Sequence, residues 1–446
     1  MQDKENVAQM NPSGSVRASR DGDEFHYHWA ARQCLKLLSG TSDLVAVTIE
    51  GPSIEEAENS HIEHGEELID VGLYFGNESC DEARLIHYIQ LKHSTLRSNE
   101  PWTASGLEKT IQGFAKRYMS LRAQFSAEEV AHRFRFEFTT NRPIDSKLQD
   151  VFQDIAQGRE PSEPRTLELV MKYADLKNSF ATEFFRLFAA VGEEEDLWEQ
   201  KNMLHQDTSI YLPDADYDAP GQLKELVARK ATTEFKSNPS IRRHDVLRAL
   251  KTEEQDLRPA ICLIPDASDT LPRQQEGEIR RALLACSSPV VIHADGGVGK
   301  SILAARLAAS MPEGSEAVLY DCFGDGCYRT LVGCRHRHRE ALVQMATELA
   351  GRGLCHPLIP TANADAKQYM KAFLSRVNQA VGFLRARDPG AVLCLIIDAA
   401  DNAEMAAEEM GDLVALFEIL FVYSSRKAFV WPLPAVHIAG PDSKRP

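Results

Sequence analysis

The spacing of apolar positions changes character three times along the chain. Over residues 24–40 (EFHYHWAARQCLKLLSG) apolar side chains recur at helical spacing, and Gly40 supplies a stop. Three runs follow that predict strands: LVAVTIE (44–50), ELIDVGLYF (67–75) and ARLIHYIQLKH (83–93). A helical pattern returns over about 105–123, and HRFRFEFTT (132–140) predicts a fourth strand, so this zone reads αβββαβ. Between about 145 and 250 the pattern is almost wholly helical (LELVMKYADL, SFATEFFRLFAAV, QLKELVARKA, RRHDVLRAL), with no fixed-period repeat. From about Ile279 short apolar strands (PVVIHA, EAVLYDCF, AVLCLIID) alternate with helices such as KSILAARLAAS and REALVQMATELAG. That alternation predicts a buried parallel sheet with flanking helices. The expected division is a disordered lead-in (1–21), an α/β domain (22–145), an associated helical segment (146–262) and a linker (263–278). A second α/β domain (279–415) and an atypical tail (416–446) complete it.

Composition narrows the class. With 446 residues, 43% hydrophobic and 26% charged, the chain has the balance of two to three globular domains. The longest apolar run, Ala391–Ile397, stops at Asp398, far short of the roughly 20 residues of a membrane span. The polar N-terminus lacks the apolar core of a signal peptide, and nine cysteines lie scattered without a framework; both predict a reducing cytoplasm. The net charge of −16 argues against a nonspecific nucleic-acid coat, yet it is unevenly spread. From Thr41 to Glu82 there are 12 Asp/Glu and no Lys/Arg; from Arg84 to Lys147 there are 11 Lys/Arg against 6 Asp/Glu. Lys116, Arg117, Arg122, Arg133, Arg135 and Arg142 read as a basic wall beside an acidic metal pocket. Glu55, Glu56 and Glu58 read as the coat of a solvated loop.

The sharpest motif is ADGGVGKS at Ala294–Ser301, which fits the phosphate-loop spacing except that Ala294 replaces the first glycine. A predicted strand enters it and a predicted helix leaves it. Gly296, Gly297 and Gly299, with Val298 between them, let backbone amides turn toward a phosphate. Lys300 would reach the β- and γ-phosphates and Ser301 would hold Mg²⁺. Asp398, ending AVLCLIID, is the companion carboxylate for the magnesium, and Asp401 is a candidate for polarising the attacking water. Together these residues predict an ATP–Mg²⁺ site.

A second constellation lies in the first zone. Gln90 and Lys92 project from one face of the third strand, and Asp70 in the second strand falls beside them if the two pair. Asp70 and Gln90 would ligate Mg²⁺ while Lys92 orients or activates water, with Glu50 a further oxygen ligand. The spacing resembles the PD-(D/E)xK nuclease pattern with Gln90 in place of the usual acid, and αβββαβ is the core order of that restriction-endonuclease-like superfamily. From spacing alone, a solvated hairpin face explains the same residues.

The run FHYHWAARQCLKLL…VTIEG…ELIDVGLYFG…YIQLKHST…SGLEKTIQGFAKRY resembles the double-stranded-DNA endonuclease effector domain of bacterial antiphage systems. The run VVIHADGGVGKS…LYDCFGDGCYR…LIIDAADNAE resembles the NTPase module of STAND proteins. Together, over roughly residues 22–410, they are similar to the antiviral STAND (Avs) family. The resemblance implies a Mg²⁺-dependent endonuclease acting on double-stranded DNA under an ATP-binding switch. It also implies a phage-protein trigger sensed by a C-terminal repeat region, and a homo-oligomer when active. Asp70, Gln90, Lys92 and Glu50 then form the nuclease centre, and Lys300, Ser301 and Asp398 the nucleotide site. Asp401-Asn402 stands where many relatives carry an acidic pair. Residues after about Leu416 depart from the family pattern, which is expected of a shortened or frameshifted product lacking the sensor.

Other constellations are weaker. Cys322, Cys327, Cys334, His336, His338, Cys355 and His356 lack the paired spacing of a structural zinc site. His26 and His28 lie two apart on a predicted helix and share no face, and helix packing explains the neighbouring Tyr27 and Trp29 better than a ligand pocket does. No nucleophile elbow or Cys–His signature is present. Two further function classes stay open: a module that binds DNA or a partner without cutting, and an inactive remnant.

Overall fold

The N-terminal polar residues enter a helix well before the apolar pattern begins. In the computed structural model α1 spans Pro12–Leu35, which corrects the expected disordered lead-in from Pro12 onward. Past Ser15 the segment has no proline, so once its apolar part is docked the helix extends backward at little cost. The structure describes residues 12–59, 65–160, 163–214, 218–265, 270–285, 290–330 and 334–412; the tail 416–446 lies outside them. These residues form two units, one within Met1–Leu38, Ser42–Thr208 and Asp216–Leu250, the other within Ser39–Thr41, Ser209–Ala215 and Lys251–Pro446.

The first unit continues from α1 through β1 (Leu44–Ile49), α2 (Ile54–Asn59), β2 (Val71–Phe75), β3 (Leu85–Lys92), α3 (Glu108–Gln124), α4 (Ala127–Arg133) and β4 (Phe134–Thr140). Then come α5 (Ser146–Gln157), α6 (Pro164–Ala174), α7 (Asn178–Phe185), β5 (Phe188–Val191), α8 (Leu197–Ser209), α9 (Ala219–Lys230), β6 (Ser240–Ile241) and α10 (Arg243–Ala249). The six strands form one mixed sheet in the order β5-β4-β3-β2-β1-β6, antiparallel from β6 to β3 and parallel from β3 to β5. The chain is thus α/β, and the segment read as almost wholly helical supplies both sheet edges. FAAV escapes a periodicity reading because it follows the apolar end of α7 after only Arg186 and Leu187.

The strand period of two divides the sheet's faces. Phe134, Phe136 and Phe138 of β4 enter the core while Arg135 and Glu137 turn the other way. With Tyr74, Ile86 and Tyr88 they pack on Ile111, Phe114 and Tyr118 of α3. Within that core sits an ion pair: Glu56 of α2 and Arg117 of α3 are both fully buried. The Glu56 carboxylate also accepts from the Tyr74 and Tyr88 hydroxyls, each at 2.6 Å. Glu56 therefore does not coat a solvated loop; the side chain of Glu58 lies outside the described residues.

The second unit holds α11 (Gln274–Ala285), α12 (Lys300–Ala309), β7 (Glu316–Asp321), α13 (His338–Gly351), α14 (Ala366–Arg387), β8 (Leu393–Asp398) and α15 (Ala400–Met410). β7 and β8 pair in parallel with Asp321 beside Asp398 at their ends, and α13 and α14 bury their apolar faces in the same core. The predicted strand before the phosphate loop does not form over residues 290–293, and Val291 is exposed. That run has strand composition but pairs with neither β7 nor β8. No described helix is long and apolar enough to cross a membrane.

Candidate metal centre and phosphate loop

β1 ends at Ile49, and Glu50 then takes a left-handed backbone (φ 56°), followed by Gly51 at φ 143°. A left-handed non-glycine residue costs about 1–3 kcal/mol and persists where surrounding bonds enforce it. Here the Thr48 hydroxyl donates to the Gly51 carbonyl at 2.7 Å, and the Glu50 amide donates to the Asp70 carbonyl at 3.0 Å. Asp70 lies just before β2, not within a strand as its sequence suggested. Its amide donates to the Ile89 carbonyl at 3.0 Å, and its Oδ2 accepts the Leu91 amide at 2.7 Å. The carboxylate thus stands in for a ladder partner at the end of β3, which fixes its direction.

This end of the sheet meets α1, and His26 completes a cluster: ligand atoms of His26, Glu50 and Asp70 lie within 4.8 Å of one another. Lys92 Nζ is 3.9 Å from Asp70 Oδ2, with the lysine side chain 44% exposed and the aspartate 12%. Burial pushes Asp70 up to about 6, against the opposing pull of Lys92. Burial and then the neighbouring Asp70 charge push Glu50 up to about 7. Burial, reinforced by Lys92, holds His26 down at about 4, so near neutrality its ring is uncharged and carries a lone pair. Two carboxylates that resist ionising and one neutral imidazole form a set that a divalent cation would satisfy. Gln90 is only 4% exposed, and its Oε1 accepts the Thr110 hydroxyl of α3 at 2.6 Å.

His26 is the residue that the spacing argument set aside. Its helix position relative to His28 is as expected, but the topology carries its flank of α1 to the strand ends holding Glu50 and Asp70. The available signal was the fold order: a helix packed on β1 with a polar flank facing that strand's acidic end. The basic wall is largely spent on the protein itself. Arg117 is paired with Glu56, Arg122 with Glu183, Arg133 with the Ala83 carbonyl, Arg135 with the Ala131 carbonyl and Arg142 with the Glu100 carbonyl. Of the six, Lys116 is exposed. Among the described residues no cysteine belongs to a metal-type cluster, and His336 is engaged by Asp412.

In the second unit the phosphate loop leads into α12 through Gly297 (φ 75°) and Gly299 (φ 88°), backbone angles that favour glycine. The loop from Asp295 to Val298 is exposed. Lys300 folds back across it, its Nζ donating to the carbonyls of Ala294 at 2.8 Å and Asp295 at 3.0 Å. Of the two strand-end aspartates, Asp321 is fully engaged. It accepts the Phe323, Gly324 and Leu263 amides at 3.0, 2.9 and 3.0 Å and faces Arg335. Asp398 instead keeps a buried Oδ2 without a partner, beside Ser301. Burial raises its carboxyl above the ordinary range, opposed by the Ser301 hydrogen bond. An orphaned oxygen next to that serine fits an ATP-bound Mg²⁺. Asp401 is exposed in the first turn of α15. The motif reading missed Arg273, which lies against Gly299: an added Cβ there would sit 3.4 Å from its Nη2. Glu276 and Arg306 tie that segment to α12 at 2.9 Å.

No family model and no curated protein matches the chain. Among solved structures it is similar to the Acinetobacter baumannii Cap4 SAVED/CARF-domain containing receptor with the cyclic trinucleotide 3'3'3'-cAAA. That match has 12% identity and TM-score 0.30, covering 88% of this chain and 94% of that one. The Moraxella osloensis Cap4 SAVED/CARF-domain containing receptor matches at 12% identity and TM-score 0.30, over 90% of this chain and 95% of that one. Overlap this loose transfers neither fold nor ligand.

Proposed function

We propose that the chain is a divalent-metal-dependent endonuclease acting on double-stranded DNA, coupled to an ATP-binding switch. The carrying observation is the convergence of His26, Glu50 and Asp70 within 4.8 Å, with Lys92 Nζ 3.9 Å from Asp70. Bound there, Mg²⁺ or Mn²⁺ supplies polarisation of a phosphodiester oxygen and an acidified water. Asp70 and Glu50 would hold the cation through carboxylate oxygens and His26 through its neutral ring nitrogen. Lys92, half exposed beside them, orients the attacking water and offsets negative charge developing on the phosphoryl oxygens. In the second unit Ser301 and Asp398 would hold the magnesium of ATP, and Lys300 would exchange two loop carbonyls for the β- and γ-phosphates. The resemblance to the antiviral STAND family adds antiphage defence, a phage-protein trigger and an active homo-oligomer to this reading.

Supercoiled plasmid incubated with the full chain, Mg²⁺ or Mn²⁺ and ATP tests it. Linear products are expected, and Lys92→Ala should slow their formation by about 100-fold or more. Cleavage that survives Lys92→Ala defeats the assignment. Lys300→Ala should abolish any dependence on ATP while leaving the metal centre intact. A second reading, DNA binding without cutting, draws on Gln90, whose carbonyl oxygen already serves Thr110. In that case the plasmid is retained by the protein and stays intact with every metal.

A further inference from the structure

A cleft of about 820 Å³ opens in the first unit, lined by His28, His93, Trp198, Lys201, His205 and Lys224 among others. It shares two elements with the metal centre. α1 presents His26 to the cluster and His28 to the cleft, consistent with a separation of about 200° around the helix. β3 ends in Lys92, and the next residue, His93, is a wall of the cleft.

Trp198 is 64% exposed, an unusual position for an indole. Its backbone is held, since Asp196 Oδ1 accepts the Trp198 and Glu199 amides at 2.8 and 3.0 Å and anchors the start of α8. Lys201 Nζ lies 5.6 Å from the centre of the indole ring, one turn along. The cleft's acids are engaged internally: Glu24 pairs with Lys224 at 3.1 Å, Asp21 accepts the Thr95 hydroxyl at 3.0 Å, and Asp196 serves the helix. His28 spends Nδ1 on the Glu24 carbonyl at 2.7 Å.

A cleft with nearly cancelling charges does not suit a run of phosphates. It suits a flat aromatic group with one negative charge. We propose that it is a nucleotide subsite, receiving an unpaired base stacked on Trp198 with its phosphate against Lys201. The base belongs to the DNA strand flanking the phosphodiester at the metal centre. The volume lies within the 300–1,000 Å³ typical of ligand pockets, room for about one or two nucleotides. Base–indole stacking tolerates any sequence because every base has a π-face. The identity of the occupant rests on the nuclease reading.

The test is binding of a short fluorescein-labelled single strand, and of a duplex with one mismatch, to the full chain in EDTA, where nothing is cut. Trp198→Ala should raise Kd by about tenfold or more, and Trp198→Phe should recover most of the loss. Lys201→Ala should lower the salt slope by about one released ion. All three variants should melt with the wild type, since these side chains are exposed. Wild-type binding that Trp198→Ala leaves unchanged overturns the subsite and spares the nuclease reading. Trp198-dependent binding by a chain that cuts no plasmid with any metal overturns the nuclease reading and spares the subsite. A wild-type chain that binds no DNA overturns both.

Discussion

At the scale of single residues, the candidate metal centre is a place where the fold works against itself. Burial penalises the Asp70 charge and pushes its carboxyl up to about 6, from an ordinary value of 3.8. The folded chain therefore keeps a proton that the unfolded chain gives up between these values. Metal-free stability falls as pH rises through that window, and the loss is complete above about pH 6. The shift corresponds to about 3 kcal/mol at most. Asp70→Asn removes the charge, and its amide oxygen can still accept the Leu91 amide. In EDTA the variant should melt above the wild type at about pH 8 and level with it at about pH 4, read by thermal melts. A wild-type advantage at the higher pH would show that Asp70 is a structural ion-pair partner of Lys92 instead. Adding Mn²⁺ should reverse the order, because only the wild type then gains a cation for its carboxylate.

At the scale of elements, legibility followed the length of the periodic signal. β4, with three phenylalanines alternating with polar residues, and α14, over the long helical pattern AKQYMKAFLSRVNQAVGFL, announce themselves. β5 and β6 do not, being four and two residues long and fixed by pairing with distant strands. The site was half legible for the same reason. Asp70, Gln90 and Lys92 share a local hairpin and Glu50 closes the preceding strand run, whereas His26 arrives by tertiary packing that spacing does not encode. The largest surprise is the Glu56 carboxylate, which binds α2, β2, β3 and α3 together through Tyr74, Tyr88 and Arg117. Sequence offers a solvated acidic loop there, because the partner arginine lies 61 positions away. Glu56→Ala leaves a buried guanidinium without its counter-charge and should cost about 3–5 kcal/mol in chemical denaturation. Combining Glu56→Leu with Arg117→Met should recover most of that loss, since an apolar pair of similar bulk avoids the desolvation penalty. Equal losses in the single and double variants would mean that the carboxylate matters for its tyrosine hydrogen bonds and not for its charge.

At the scale of the whole molecule, the two proposed sites fall in different units and differ in chemistry, so ligand-linked stability can address them one at a time. A ligand that binds only the folded state adds RT ln(1 + [L]/Kd), about 2.7 kcal/mol at a hundredfold excess over Kd. For units of this size that is a shift of roughly 5–10 °C in melting temperature. Mn²⁺ without nucleotide should shift the transition of the first unit, through His26, Glu50 and Asp70. ATP with Mg²⁺ should shift that of the second, through Lys300, Ser301 and the unpartnered oxygen of Asp398. Lys300→Ala should erase the ATP shift and keep the Mn²⁺ shift; Asp70→Asn should do the reverse. Differential scanning calorimetry, which resolves separate transitions, reads both arms in one experiment. Loss of both shifts in either single variant would mean that the two sites do not titrate independently. Each would then act on the other's unit through the chain, and neither site's chemistry would be interpretable alone.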